Sequence, residues 1–143
     1  MRIDWNYIKG ILDGFEESDQ RVLSIYDLQK LGFDYDMDQE KFIFHMLLLC
    51  DERIIDRETG HMETGAKIFG MTKSSSGYSV YPTPLRLTMA GHEFAANLRN
   101  KNIWPTLKNN LADQGFSAIV TLAKDLSVGL AKKKVEDILK GDA

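Results

Sequence analysis

Leu85 to Asn100, Leu-Arg-Leu-Thr-Met-Ala-Gly-His-Glu-Phe-Ala-Ala-Asn-Leu-Arg-Asn, constrains the fold of this chain more than any other stretch. Leu85 and Leu87 alternate with Arg86, the period of a half-buried strand. Thr88 stands where a helix N-cap belongs, and Phe94 and Leu98 follow at i, i+4 spacing. A strand whose next residue caps a helix fixes the angle between the two. Everything upstream must then pack onto that corner.

The preceding segments read mainly as helices. Asp4 caps an amphipathic helix running to Glu17, with Trp5, Ile8, Ile11, Leu12 and Phe15 on one side. Ser24 and Asp27 form a capping box for a second helix; Leu28 and Leu31 face inward, and Gly32 supplies the stop. In Asp34-Tyr-Asp-Met-Asp, the D-x-D-x-D spacing resembles a calcium loop. The Gly and Glu that such a loop needs at its sixth and twelfth positions are Gln39 and His45 here, so that reading fails. Asp36 is expected to cap a third helix, roughly residues 37–53, with Gln39 closing its box. Phe42, Ile43, Met46, Leu49 and Cys50 form its inner face. A projection at 100 degrees per residue places Met37, Asp38, Lys41, Phe44, His45, Leu48 and Glu52 on the opposite side.

Strands are expected at 54–57, 66–72 and 78–81, the last two joined by a Lys73–Gly77 hairpin tip. Pro82 and Pro84 keep the approach to Leu85 away from a central strand position. Beyond Asn100, a helix over 104–112 carries Pro105 in its first turn, and Gly115 ends it. Ser117 caps a last helix to about Lys140, along which Phe116, Ile119, Ala123, Leu126 and Leu130 step by three and four. Two heptads are too few to indicate a coiled coil. The organisation expected is therefore a domain over 1–100 and a C-terminal helical extension over 101–143.

With 43% hydrophobic and 10% aromatic residues the chain has material for a core. Its one cysteine, Cys50, excludes an internal disulfide. The N-terminus lacks a signal-like apolar run, and no window reaches the roughly 20 apolar residues that span a bilayer. A cytoplasmic location follows as the expectation. The net charge of −3 is unevenly placed: residues 1–58 hold 14 acids and 7 bases, residues 59–143 hold 7 acids and 11 bases.

Catalytic chemistry finds no assembled set. The glycines from Gly60 to Gly77 lack the Lys-Ser or Lys-Thr of a phosphate loop. His45, His61 and His92 fall in three separate elements without ligand spacing. Cys50 and His45, five apart on one helix, point about 140 degrees apart. His92 is expected to pack against the strands and bond a backbone carbonyl. A non-enzymatic protein with no cofactor and no small-molecule substrate is the expectation.

Three helices, a strand, a hairpin, a strand and a helix follow the order of a winged helix-turn-helix, an α+β and mostly helical architecture with a small antiparallel sheet. Leu85 to Phe94, with Leu98-Arg99, Trp104 and Lys108, resembles the signature of an uncharacterised bacterial and phage-associated family of small winged-helix-like proteins. Asp4-Trp5, His45 and Leu48-Leu49 are similar to it as well. Met89, where an aromatic is expected, and Pro105, inside usually continuous helix, depart from the pattern. The resemblance implies a fold and a mobile-element origin; it supplies no catalytic residues.

Two functions fit. The first is a protein-interaction module centred on Met37, Lys41, Phe44, His45 and Leu48, binding a host or defence component or a second copy of itself. The second is a DNA-binding regulator with Lys41, His61, Lys67, Lys73 and Arg86 on phosphates. The third helix offers little for base readout, since Asp38 and Glu52 join Lys41 there and no Arg, Asn or Gln points outward.

Overall fold

The computed structural model describes residues 1–60 and 62–141. It is α+β and mostly helical, and it divides into two compact units, Met1–His92 and Glu93–Ala143. In the first unit, α1 (Trp5–Glu17) is capped by the Asp4 side chain, which accepts from the Tyr7 N–H at 3.1 Å. Ile8, Ile11, Leu12 and Phe15 are buried, as their spacing requires. Gly10 leaves room for the Phe33 ring; a Cβ there would lie 2.7 Å from its Cζ.

α2 (Ile25–Lys30) begins with the Ser24–Asp27 capping box. It ends with Gly32 at φ +102°, the Gly32 N–H bonding the Gln29 carbonyl and the Phe33 N–H the Leu28 carbonyl. Leu31, expected inside, is the C-cap and is 52% exposed.

α3 (Gln39–Asp51) is capped by Asp38, not by Asp36. Asp34 decides this. Its carboxylate accepts from the N–H groups of Asp36 and Met37, folding a turn that delays the helix. At the far end Arg53 adopts φ +53°, with the Arg53 N–H on the Cys50 carbonyl and the Ile54 N–H on the Leu49 carbonyl. This is the usual glycine stop built on an arginine.

β1 (Ile55–Arg57) pairs antiparallel with β4 (Leu85–Leu87), Ile55 opposite Leu87 and Asp56 opposite Arg86. On the other edge of β4, Leu23 and Leu85 exchange both backbone bonds at 2.9 Å. The expected strand over 66–72 starts instead as a 3-10 turn, Gly65–Phe69, followed by β2 (Met71–Ser74). β2 and β3 (Gly77–Val80) form a separate two-stranded sheet, so the hairpin is an excursion between two strands that pair directly. The 3-10 turn packs on α3, where Phe42 and Phe69 meet edge to face with centroids 6.0 Å apart.

Thr88 closes the corner. Its N–H donates to the Ile54 carbonyl, its hydroxyl donates to the Arg53 carbonyl, and its Oγ1 accepts from the Gly91 N–H at 3.0 Å. α4 (Met89–Arg99) follows and runs across the boundary into the second unit. That unit continues with α5 (Trp104–Lys108), Pro105 lying in its first turn, and α6 (Phe116–Leu139). α6 starts one residue before Ser117, with Gly115 as its N-cap and no side-chain cap; Gly115 opens this helix and does not close α5. Phe94 and Phe116 rings meet at 5.9 Å, and Phe116, Ile119 and Ala123 are buried.

Gly91 gives the corner its sharpest test. A Cβ at this position would sit 2.1 Å from the Ile54 carbonyl oxygen and 3.0 Å from its carbon, both backbone atoms that cannot turn aside. Ordinary helix propensity favours Ala over Gly by about 1 kcal/mol. The overlap outweighs it: Gly91→Ala is expected to destabilise the fold by about 3 kcal/mol. Gly129→Ala, in α6 with open space around it, should stabilise by about 0.5 kcal/mol. Urea midpoints for the two variants, moving in opposite directions with unchanged slope, check the sign.

Candidate functional site

The third-helix residues singled out by periodicity fall into three environments. Met37, in the turn before α3, is 87% exposed. Lys41, Phe44 and Leu48 are half-buried. His45, expected on the outer face, is 1% exposed.

What buries His45 is the start of α1. The Asp4 backbone N–H donates to His45 Nε2 at 2.8 Å, and His45 Nδ1 lies 2.7 Å from the Lys41 carbonyl. The two partners assign the proton: Nε2 accepts, so Nδ1 carries the hydrogen and donates one turn back along its own helix. The imidazole is thereby neutral, and neither nitrogen is free for acid–base work. Burial holds its pKa below the ordinary histidine value. The Lys41 carbonyl and the Asp4 charge work against that, the Lys41 ammonium with it, and the Asp38 carboxylate against it.

The ring is enclosed by Tyr7, centroids 4.8 Å apart, and by Phe44, edge to face at 5.1 Å. Lys41 reaches the other way. Its Nζ is 3.0 Å from Asp4 Oδ2 and 4.8 Å above the centre of the Tyr7 ring. The Lys41 ammonium and the Tyr7 N–H hold the Asp4 carboxyl below the usual aspartate range. Burial, aided by the charges of Asp38, Asp34 and Asp4, pushes the Tyr7 hydroxyl up to about 12. Asp4 and Tyr7 were absent from the expected site. The first was legible as a cap, but nothing in the sequence ties residue 4 to residue 45.

The basic residues of the alternative reading are dispersed. Lys67 is exposed on the 3-10 turn, where the Arg57 guanidinium bonds the Lys67 and Ile68 carbonyls. Lys73 is exposed in β2. Arg86 is half-buried on β4, opposite buried Asp56, with Nη1 3.4 Å from the Leu87 carbonyl. His61 lies outside the described residues.

Cys50 is buried, and burial raises its thiol far above the range of a nucleophile. His92 is a correction. Its ring is exposed rather than packed on the strands, with Nδ1 3.3 Å from Glu16 Oε1. Among the described residues, no group of three or more His, Cys, Asp or Glu side chains is placed to hold a metal ion. No described helix is long and apolar enough to cross a membrane.

The His45 seam dictates a pH dependence. A histidine with a depressed folded pKa binds its proton more readily in the unfolded chain. Stability is therefore level above the ordinary histidine value and falls as pH drops through about 6.5. Asp4, also depressed, contributes a second loss only in the carboxylate range, below about pH 4. His45→Ala, which leaves the Asp4 N–H without its acceptor and opens a cavity, is expected to cost about 3 kcal/mol. Urea unfolding between pH 5 and pH 8 checks both effects; in His45→Gln the slope below pH 6.5 should shrink.

A family model supplies the wider context. No curated protein and no solved structure matches the chain significantly. The model described as "Hypothetical protein (DUF2513)" matches residues 2–117, from just before α1 to the first residues of α6, and the chain belongs to that family.

Proposed function

We propose that the chain is a non-enzymatic protein on a winged-helix frame that acts by binding another protein through the exposed side of α3. The frame is supported by element order and pairing: three helices, then β1, a hairpin excursion and β4, with Leu23 and β1 on opposite edges of β4. In such a frame α3 is the element that would enter a DNA groove.

The observation that carries the reading is the state of Lys41. It is the one Lys or Arg in α3, and its ammonium is committed to Asp4 and Tyr7. Glu40 and Asp51, both exposed, would face phosphates with the wrong sign. Met37, Phe44 and Leu48 give an apolar surface with acids at its rim, the composition of a protein interface core. For a protein of phage or mobile-element type the occupant would be a host or defence component, whose function the contact modulates.

Titration with mixed duplex DNA tests this. A regulator contacting phosphates through Lys41, Lys67, Lys73 and Arg86 would lose roughly 150-fold in affinity between 50 and 200 mM salt. The expected result is no binding at low salt, with Lys67→Ala/Lys73→Ala unchanged from the parent. Tight low-salt binding with that steep decline, abolished in the double variant, would overturn the proposal. A host protein retained by the parent should be released by Met37→Asp, whose position is exposed enough to leave folding intact.

A further inference from the structure

Two surfaces remain that the α3 reading does not use, and their chemistries match. The first is a cleft of about 490 Å³ between the end of α1 and α2. Leu23 and Leu31 give it an apolar floor, Gly14 keeps it open, and Glu17, Asp19 and Asp27 supply acid against the single Lys30. The second is the C-terminal half of α6. Val128, Ala131, Val135 and Ile138 are spaced 3-4-3, which places them on one stripe of the helix. Val128 and Val135 are 45% and 55% exposed. This stripe is separate from the one that packs: Phe116, Ile119 and Ala123, continued by half-buried Leu126 and Leu130, project about 120 degrees away. Lys132 and Lys134 project to either side of the exposed stripe, and Lys124 lies on it one turn before Val128.

Glu136 lies beside Lys132, and Glu93 of α4 lines the groove that holds Lys124, yet Lys124, Lys132 and Lys134 outnumber them. An apolar stripe with a surplus of lysines is what an apolar cleft with a surplus of carboxylates would take. Charge along the whole chain runs the same way. The unit Met1–His92 holds 15 acids and 10 bases, a net of −5; the unit Glu93–Ala143 holds 6 acids and 8 bases, a net of +2. Opposite signs on the two contacting surfaces favour encounter and set its polarity. Two α6 stripes facing each other would bring lysine against lysine, and two clefts would bring acid against acid.

We propose that the chain self-associates head to tail, the α6 stripe of one copy docking in the α1–α2 cleft of a second. Such an interface uses different patches on the two partners. It therefore propagates into short chains, or closes into a ring if the rotation permits. Salt weakens the contact by screening the lysine–carboxylate attraction.

Sedimentation of the full chain across concentration is the experiment, with two variants at exposed positions, Leu31→Asp in the cleft and Val135→Asp in the stripe. The parent is expected to form species larger than one chain that shrink as concentration falls or salt rises. Each variant alone should be monomeric, its association weakened at least tenfold. Mixed one to one, the variants should recover a complex of two chains and stop there. Leu31→Asp retains a good stripe and Val135→Asp a good cleft, so one competent interface survives per pair. A parent that stays monomeric at every concentration overturns the proposal. So does a Leu31→Asp variant as large as the parent, the mark of a stripe-to-stripe dimer, or a mixture that remains two monomers. Circular dichroism of both variants confirms that loss of assembly is not loss of fold. The Met37→Asp variant, still assembling, separates this contact from the α3 surface.

Discussion

One hydroxyl group holds the frame of the first unit together. Thr88 Oγ1 bonds the Arg53 carbonyl and receives the Gly91 N–H, while the Thr88 backbone bonds the Ile54 carbonyl. The end of α3, the start of β1, the end of β4 and the start of α4 thus meet at a single residue. Arg53 sits beside it at φ +53°, a conformation that disfavours a residue with a side chain by about 1 kcal/mol. The orphan carbonyl that such a helix end exposes is taken up by the threonine, so the strain and its compensation lie in the same few atoms. The close approach of Gly91 to Ile54 is the steric counterpart: the strand and the helix come so near that no side chain fits between them.

The strand, cap and helix of this node were legible because they are local; the bonds from Thr88 to Arg53 and Ile54, some 35 positions upstream, were not. A leucine alternation, a threonine and an i, i+4 pair are short-range signals, and each is enforced by backbone geometry rather than by distant partners. The caps at Asp4 and Ser24 were legible for the same reason. Asp36 shows where local reading fails. Asp34, Asp36 and Asp38 are three equivalent acceptors two residues apart, and all three can cap. The choice fell to Asp38 because Asp34 also takes the Gln29 amide, which fixes the turn from outside the segment. Ser117 fails differently. The helix opens at Phe116, whose ring is buried against Phe94, so the cap position falls to Gly115 and Ser117 lies inside the first turn.

His45 marks the limit of helical projection. A projection divides a helix into an inner and an outer face and assumes that one neighbour covers it. α3 has two. Phe42, Ile43, Met46 and Leu49 pack on the core side, while the first turn of α1 lies over His45 from another direction. A polar residue at such a second contact is stable only when every polar atom is matched. The Asp4 N–H and the Lys41 carbonyl, separated in sequence by 37 positions, supply the match.

The same enclosure shapes what α3 can recognise. A helix that reads DNA needs one side free along several turns, with long cationic or amide side chains able to extend from it. Here Asp4 covers the second turn and draws in the only Lys or Arg of the helix, and Tyr7 occupies the space above that ammonium. What stays outside is Met37 at the entry and the partly covered Phe44 and Leu48, side chains that gain energy by leaving water rather than by meeting phosphate. Withdrawing the cation and leaving the thioether and aromatic at the surface is a single structural event, caused by where α1 begins. The apolar side chains left on α3 are the feature that the proposed protein contact would use.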